Sequence, residues 1–231
     1  MEKQTISVII PAWNAEKYLP VCIEALQRQS LKAELQILLA DDGSQDCTAS
    51  LAQKLGLEVL KLNHGGAARA RNEALRQARG SYIYFLDADD VPTEDALETM
   101  MGPLLEDEKL GAVFAKARDF ISPELTEQEH RGLRARPMAY SGVLPGCSLI
   151  RREVFAQIGY FDESLSSGET VAWMMKLRDA GIRTMQLDEI TLNRRIHLNN
   201  TGIRDAQGEA ANYAAILRAR MLRNGRAGDK K

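Results

Sequence analysis

The chain has 231 residues, 45% apolar and 27% charged, a balance that suits a globular fold with a sizeable core and excludes a disordered or fibrous protein. Thirty Lys and Arg against 32 Asp and Glu give a formal net charge of -2 and an isoelectric point near 6.0, so no global field recruits nucleic acid. No apolar run approaches the roughly 20 residues of a spanning helix. Cys22, Cys47 and Cys147 are odd in number and form no CxxC pair, and Met1 to Thr5 leads directly into a strand rather than a signal segment. These features predict reduced thiols and a cytoplasmic chain.

In chain order, Ile6 to Ile10 is a short β-branched run closed by Pro11, which predicts a buried parallel strand. Leu19, Cys22, Ile23 and Leu26 recur at helical spacing and predict a helix ending near Ser30. A second strand, Leu35 to Ala40, runs into the turn Asp41-Asp42-Gly43-Ser44, after which Asp46 can cap a helix lasting to Gly56. Glu58 to Leu62 predicts a third strand. From Gly66 to Arg79, Ala67, Ala70, Ala74 and Ala78 line one face of a helix that Gly80 can stop. Tyr82 to Leu86 is the fourth strand, and its carboxyl end delivers Asp87-Ala88-Asp89-Asp90. A helix over Leu97 to Leu105 and a strand at Ala112 to Ala115 complete this rhythm. The alternation predicts an α/β fold with a mostly parallel central sheet flanked by helices.

After about Arg118 the rhythm changes. Ser122 to Tyr140 is polar, carries Pro123 and Pro137, and reads as an excursion or short helix over a site. Beyond it come a strand at Ser148 to Ile150, helices over Arg152 to Ile158 and Glu169 to Ala180, and strand material between Thr184 and His197. Tyr213, Leu217 and Met221 suggest a terminal helix. Its Arg218, Arg220, Arg223 and Arg226 form either a solvated tail or a peripheral contact with the inner membrane face.

Three carboxylates in four residues repel one another unless neutralised, and a hard divalent ion, Mn²⁺ or Mg²⁺, is the economical neutraliser. In an extended segment Asp87 and Asp89 face one side while Asp90 points elsewhere. A solvated acidic loop or a helix N-cap is the competing reading of the same residues.

The pieces together resemble the family 2 glycosyltransferases of the GT-A (Rossmann-like) fold. The resemblance rests on Ser7-Val8-Ile9-Ile10-Pro11-Ala12-Trp13-Asn14, on Asp41-Asp42-Gly43-Ser44, and on Gly65 to Asp90 with Ala70-Arg71-Asn72 and the Asp-x-Asp motif Asp87-Ala88-Asp89. It implies a nucleotide-sugar half over 1–118 and an acceptor half over 119–231 within one continuous domain. Pro11 and Trp13 would line the base pocket, with Asn14 shaping the turn beside them. Asp42 would accept from the base, Asp41 would contact the ribose or cap the turn, and Arg71 would contact the base or diphosphate. Asp89 is the implied principal metal ligand, and Asp87 and Ala88 lie beside sugar, ribose or metal. Arg195 to Thr201 is similar to a late segment in which a His, here His197, approaches metal or diphosphate; a structural His at a strand end is the alternative.

One departure stands out. Gly146 to Arg152 and Ile158 to Glu163 resemble the approach to a Gly-Glu-Asp catalytic base, but the chain reads Gly168-Glu169-Thr170. Thr170 cannot serve as a base near neutral pH. Glu169 is then the candidate base, unless it is only a helix-start carboxylate stabilised by the helix dipole. The implied activity is metal-dependent, inverting transfer from a nucleotide-diphosphate sugar, a UDP-sugar foremost, to a glycan, lipid-linked or peptide hydroxyl. A non-catalytic sugar-nucleotide-binding protein is the rival that Thr170 supports. Nucleotidyl transfer is a weaker one, because Pro11 to Asn14 is not a glycine-rich triphosphate loop.

Overall fold

A computed structural model describes residues 4–200, apart from 143 and 166; the expected terminal helix lies outside the described residues. The β-branched opening run forms β1 (Thr5–Ala12), in which Ile6, Val8, Ile9 and Ile10 are all fully buried. Burial on both faces requires helices on both sides of the sheet. Ile6, Val8 and Ile10 pack with Leu19, Cys22, Ile23 and Leu26 of α1 (Leu19–Gln27) and with Leu97, Met100 and Leu104 of α4 (Ala96–Glu106). Ile9 faces the opposite layer of α3 (Ala67–Gln77), α6 (Arg152–Ile158) and α7 (Glu169–Asp179). The small face of α3 is Ala68, Ala70, Ala74 and Ala78, whereas the predicted Ala67 is exposed at the helix start.

The remaining early elements are β2 (Glu34–Asp41), α2 (Thr48–Lys54), β3 (Glu58–Lys61), β4 (Tyr82–Phe85) and the short β5 (Val91–Pro92). Asp46 accepts the Thr48 amide at 2.9 Å, so it steadies the start of α2 as its position suggested. Later come β6 (Ala112–Ile121), α5 (Glu127–His130), β7 (Tyr140–Ser141), a 3₁₀ turn at Pro145–Cys147, β8 (Ser148–Arg151) and β9 (Thr184–Ile196). The polar stretch after β6 does hold a short helix, α5, started by a reciprocal Thr126 and Glu129 capping pair.

The sheet runs β3-β2-β1-β4-β8-β6-β9-β5, with β7 beside β6. Its pairings are parallel from β3 through β4, and β8 inserts antiparallel between β4 and β6. Strands β1, β2, β3, β4, β6 and β9 all point the same way, whereas β5, β7 and β8 oppose them. Strand β6 is much longer than the predicted four residues because it pairs with β9 as far as Ile121 opposite Ile196, across a bulge near Lys116. This long pair carries Arg195 and His197 to the end of the sheet where β4 delivers Asp87.

No helix among the described residues is long and apolar enough to cross a membrane. All three cysteines are free, and Cys22 and Cys147 are buried. Burial pushes the Cys147 thiol up to about 12, so it behaves as a core residue.

The turn from α3 into β4 has a tight steric requirement. Gly80 donates its amide to Ser7 Oγ at 2.8 Å, and a Cβ on Gly80 would lie 2.4 Å from the Ser7 backbone nitrogen. Ser7 Oγ in turn donates to Gln36 at 2.7 Å, so β1, β2 and this turn share one buried network. Gly80→Ala should therefore cost about 2 kcal/mol, seen as a lower urea midpoint at unchanged m-value; an unaltered midpoint would refute this packing constraint.

Candidate active site

The functional residues gather beyond the carboxyl ends of β1, β2 and β4, where open α/β sheets bind ligands. At the end of β1, Asn14 adopts the left-handed conformation (φ 51°), rare for a residue with a side chain. Its amide donates to Ser44 Oγ at 2.9 Å and its Oδ1 accepts the Gln45 amide at 2.8 Å. Asn14 thus ties the β1 turn to the β2 turn. Pro11 is half-buried within β1 beside Ala40, and Trp13 is 43% exposed. The Trp13 ring lies 5.0 Å from that of His64.

Asp41 accepts the Ser44 amide at 3.1 Å and so caps its own turn. Asp42 is 3% exposed, and both its oxygens are engaged: Oδ1 accepts Gly65 N at 2.8 Å and Oδ2 accepts Gly66 N at 2.9 Å. His64 Nδ1 also contacts Oδ2 at 2.9 Å. The structure therefore shows Asp42 organising the loop before α3.

The acidic segment departs from the expected extended geometry. Asp90 N donates to Asp87 O at 3.0 Å, closing a turn that sends the carboxylates three ways. Asp87 Oδ1 pairs with Arg71 Nη2 at 2.8 Å. Asp89 Oδ2 meets His197 Nε2 at 2.7 Å and Asn200 Nδ2 at 3.3 Å. Asp90, as expected, points elsewhere: it is 5% exposed and accepts the Arg195 amide at 2.9 Å. Burial, then the charges of Asp89 and Asp87, pushes its carboxyl well above the usual range. Ala88 is also buried.

Arg71 is the centre of a second arrangement. Its side chain is 5% exposed, and it reaches Glu169 Oε1 through Nη1 at 2.6 Å as well as Asp87 through Nη2. Burial works against its charge, but the two carboxylates more than offset that, and its pKa is raised. Its Nε is buried without a partner among the described residues. Next to it, Asn72 donates to Phe161 O at 3.0 Å and to Glu163 at 2.8 Å, and accepts Phe161 N at 3.1 Å. Arg71 and Asn72 thus clasp the second half of the chain to α3.

Glu169 opens α7 directly after Gly168, whose left-handed conformation (φ 78°) favours glycine. Trp173, one turn on, fixes the helix: it stacks on Phe155 at 4.7 Å and donates Nε1 to Gly159 O at 2.9 Å. Thr170 Oγ1 donates to Glu169 Oε1 at 3.4 Å and lies beside the base candidate without replacing it.

The donor set suits a hard divalent ion. Asp89 offers carboxylate oxygen and His197 imidazole nitrogen, on side chains already in contact. The Asn199 amide donates to His197 Nδ1 at 3.3 Å, which leaves the ring proton on Nε2; ligation through Nε2 requires that proton to move or leave. No group of three or more His, Cys, Asp or Glu forms a metal-holding cluster among the described residues. An ion held here would complete its shell with water and phosphate oxygens, which is how Mg²⁺ is commonly bound.

A family model described as Glycosyl transferase family 2 matches residues 7–159. The chain belongs to this family. The matched span holds Trp13, Asp42, Arg71, Asp87 and Asp89, and stops short of Glu169 and His197. Among curated relatives, the glycosyltransferase GlyG of Streptococcus pneumoniae is 32% identical over 181 residues, 68% of this chain and 60% of that protein. A chondroitin synthase of Pasteurella multocida is 24% identical over 94% of this chain and 23% of its own length. The chain thus spans less than two thirds of these relatives. Among solved structures, the mannosyltransferase PcManGT of Pyrobaculum calidifontis, in complex with GDP-Man and Mn²⁺, superposes with a TM-score of 0.71 at 18% identity over 96% of this chain and 65% of that one. Staphylococcus aureus TarS with UDP-GlcNAc gives 0.68 at 24% identity over 85% of this chain and 60% of that one. These neighbours establish the GT-A fold.

Family 2 motifs direct attention to Arg71 and Asp87 but not to their joint pairing with Glu169, which lies 98 positions from Arg71. Asn200 lies in the Arg195 to Thr201 segment, but the sequence assigns it no role; its signal is a turn three residues past His197, whose amide it accepts at 2.6 Å. Removing a buried charge that satisfies two carboxylates is costly, so Arg71→Ala should lose about 3 kcal/mol in urea unfolding. Arg71→Lys should recover only part of that loss, because ammonium lacks the planar fork; full recovery would show that charge alone suffices.

Proposed function

We propose that this family 2 chain transfers a sugar from a nucleotide-diphosphate sugar to an acceptor hydroxyl, with inversion at the anomeric carbon. The observation that carries the proposal is the convergence of Asp87, Arg71 and Glu169 from both halves of the chain, beside the Asp89 and His197 pair. The complexes of neighbouring structures with UDP-GlcNAc and with GDP-Man and Mn²⁺ support a nucleotide-sugar donor and a divalent cofactor. Three free thiols, Cys47 among them exposed, are compatible with action in the cytoplasm.

In this reading residues 1–118 bind the donor and 119–200 carry the acceptor side. Asp89 and His197, with Asp87 near them, would hold Mn²⁺ or Mg²⁺, which supplies charge stabilisation to the departing diphosphate. Trp13 lies against the base, and Pro11, Asn14 and Asp41 shape the floor beside it. Glu169 takes the proton from the acceptor hydroxyl as that oxygen attacks the anomeric carbon from the face opposite the diphosphate. The sugar-oxygen bond forms as the bond to phosphate oxygen breaks, and no covalent sugar-enzyme species is required. Arg71 holds Glu169 by Oε1, and Oε2 would take the proton.

The same ion pair also favours a second reading, in which Glu169 is only the counter-ion of Arg71 and the chain binds a sugar nucleotide without turning it over. The two readings separate on Glu169→Gln. As a base, its loss should lower release of nucleoside diphosphate about 100-fold or more while donor affinity measured by calorimetry stays nearly constant; turnover at the wild-type rate would remove Glu169 from the chemistry. Asp89→Asn should weaken Mn²⁺-dependent binding of nucleoside diphosphate at least about tenfold. Equal affinity in wild type and variant would place the cation elsewhere.

A further inference from the structure

Asp89 is held by side chains that arrive from the end of β9, and a residue from the other half of the chain touches two of them. Arg195 Nε donates to the Asp89 carbonyl at 2.9 Å, His197 Nε2 meets the Asp89 carboxylate at 2.7 Å, and Asn200 Nδ2 donates to the same carboxylate oxygen at 3.3 Å. Arg195 and His197 are two positions apart in the extended run that ends β9, so they project to one side. On that side stands the ring of Tyr18. Its centroid lies 4.5 Å from that of the His197 imidazole, with the planes tilted by 40°, and 5.1 Å from the Arg195 guanidinium carbon.

Tyr18 is itself fixed by the first half of the chain. It immediately precedes α1, where its amide donates to Ala15 O at 3.0 Å and its carbonyl accepts the Val21 and Cys22 amides. The turn behind it is tied to the start of α2: Ala15 N donates to Thr48 Oγ1 at 2.8 Å, Glu16 N to Asp46 at 3.2 Å, and Cys47 N to Glu16 at 2.7 Å. The ring therefore stands on a frame set by the turns after β1 and β2, independent of β9.

Hydrogen bonds alone do not keep His197 in place once a cation enters. The two bonds of its ring are the Asp89 contact, which the cation takes over, and the Asn199 amide at 3.3 Å, which is long. Contact between two ring faces does not depend on which nitrogen carries the proton, so it persists in both states. The same Tyr18 ring meets the Arg195 guanidinium within cation–π range, which steadies the grip on the Asp89 backbone as well.

We propose that Tyr18 is a positioning residue of the cation site: its ring holds His197 with Nε2 toward Asp89, and keeps it there when the Asp89 bond is given up to the cation. This rests on the reading of Asp89 and His197 as the cation-binding pair. Tyr18 acts through His197, and it does so with its ring rather than its hydroxyl.

The test measures, by calorimetry, the affinity for UDP or GDP, whichever the wild type binds more tightly, in Mn²⁺ and in EDTA. Tyr18→Leu keeps an apolar side chain without the ring; it should bind about tenfold more weakly in Mn²⁺ and as the wild type does in EDTA. Tyr18→Phe should match the wild type in both. In a His197→Ala background Tyr18→Leu should cause no further loss, because the residue it acts through is gone. Wild-type affinity of Tyr18→Leu in Mn²⁺, a loss of equal size in EDTA or in the His197→Ala background, or a Tyr18→Phe variant as weak as Tyr18→Leu overturns the assignment while leaving the cation reading intact. Wild-type protein whose affinity is the same in Mn²⁺ and EDTA would instead refute the cation reading, and the assignment with it.

Discussion

A buried guanidinium shared by two carboxylates is the constraint on which the site depends. Arg71 lies on α3, Asp87 follows β4 and Glu169 begins α7, so one planar fork fixes the relative placement of three elements. An uncompensated buried charge is severely unfavourable, and both carboxylates must be present for this arginine to remain inside. The constraint reaches further through Asn72, which satisfies both backbone groups of Phe161, and through Phe161, whose ring sits 6.0 Å from the guanidinium carbon. Phe161 in turn packs with Phe85, Phe155 and Trp173, an apolar cluster behind the guanidinium.

The acidic turn shows the same logic divided among partners. Three acidic side chains within four residues coexist because each is handled separately: Asp87 has Arg71, Asp89 has His197 and Asn200, and Asp90, whose buried carboxyl is pushed toward its neutral form, accepts the Arg195 amide. The Arg195 side chain adds a bond from Nε to Asp89 O at 2.9 Å and one from Nη1 to Ser122 at 3.1 Å, while its guanidinium carbon lies about 5 Å from the Tyr18 and Phe120 rings. The far end of β9 thus grips the backbone of the turn as well as its side chains.

Much of this fold was legible in the chain. The β-branched run Ile6 to Ile10, the spacing of Leu19, Cys22 and Leu26, and the alanine face of α3 are local signals, and local periodicity specifies strands and helices on a sheet buried on both sides. The motif residues Trp13, Asp42, Arg71, Asp87 and Asp89 were legible as a set gathered at strand ends. Their partners were not. Whether Asp42 faces a ligand or the Gly65 and Gly66 amides depends on a contact 23 residues away, and nothing in Asp41-Asp42-Gly43-Ser44 distinguishes the two. The extended reading of Asp87 to Asp89 failed for a related reason: a single hydrogen bond from Asp90 N to Asp87 O turns the chain, and period-two alternation holds only while a strand continues.

Because the carboxylates are already compensated, a divalent ion entering this site exchanges partners rather than neutralising an open cluster. Asp89 must release a 2.7 Å contact with His197, and Asp87 remains paired with Arg71. The gain from the protein alone is therefore reduced by the bonds given up, and diphosphate oxygens supply the remaining charge and ligands. In the proposed reading, cation and donor would therefore bind with positive coupling, each completing the site for the other. Glu169 would share in that coupling, since the arginine that holds its carboxylate also holds Asp87. In the proposed mechanism the fork that stabilises the fold would also set the alignment between the proton-accepting oxygen of Glu169 and the departing phosphate.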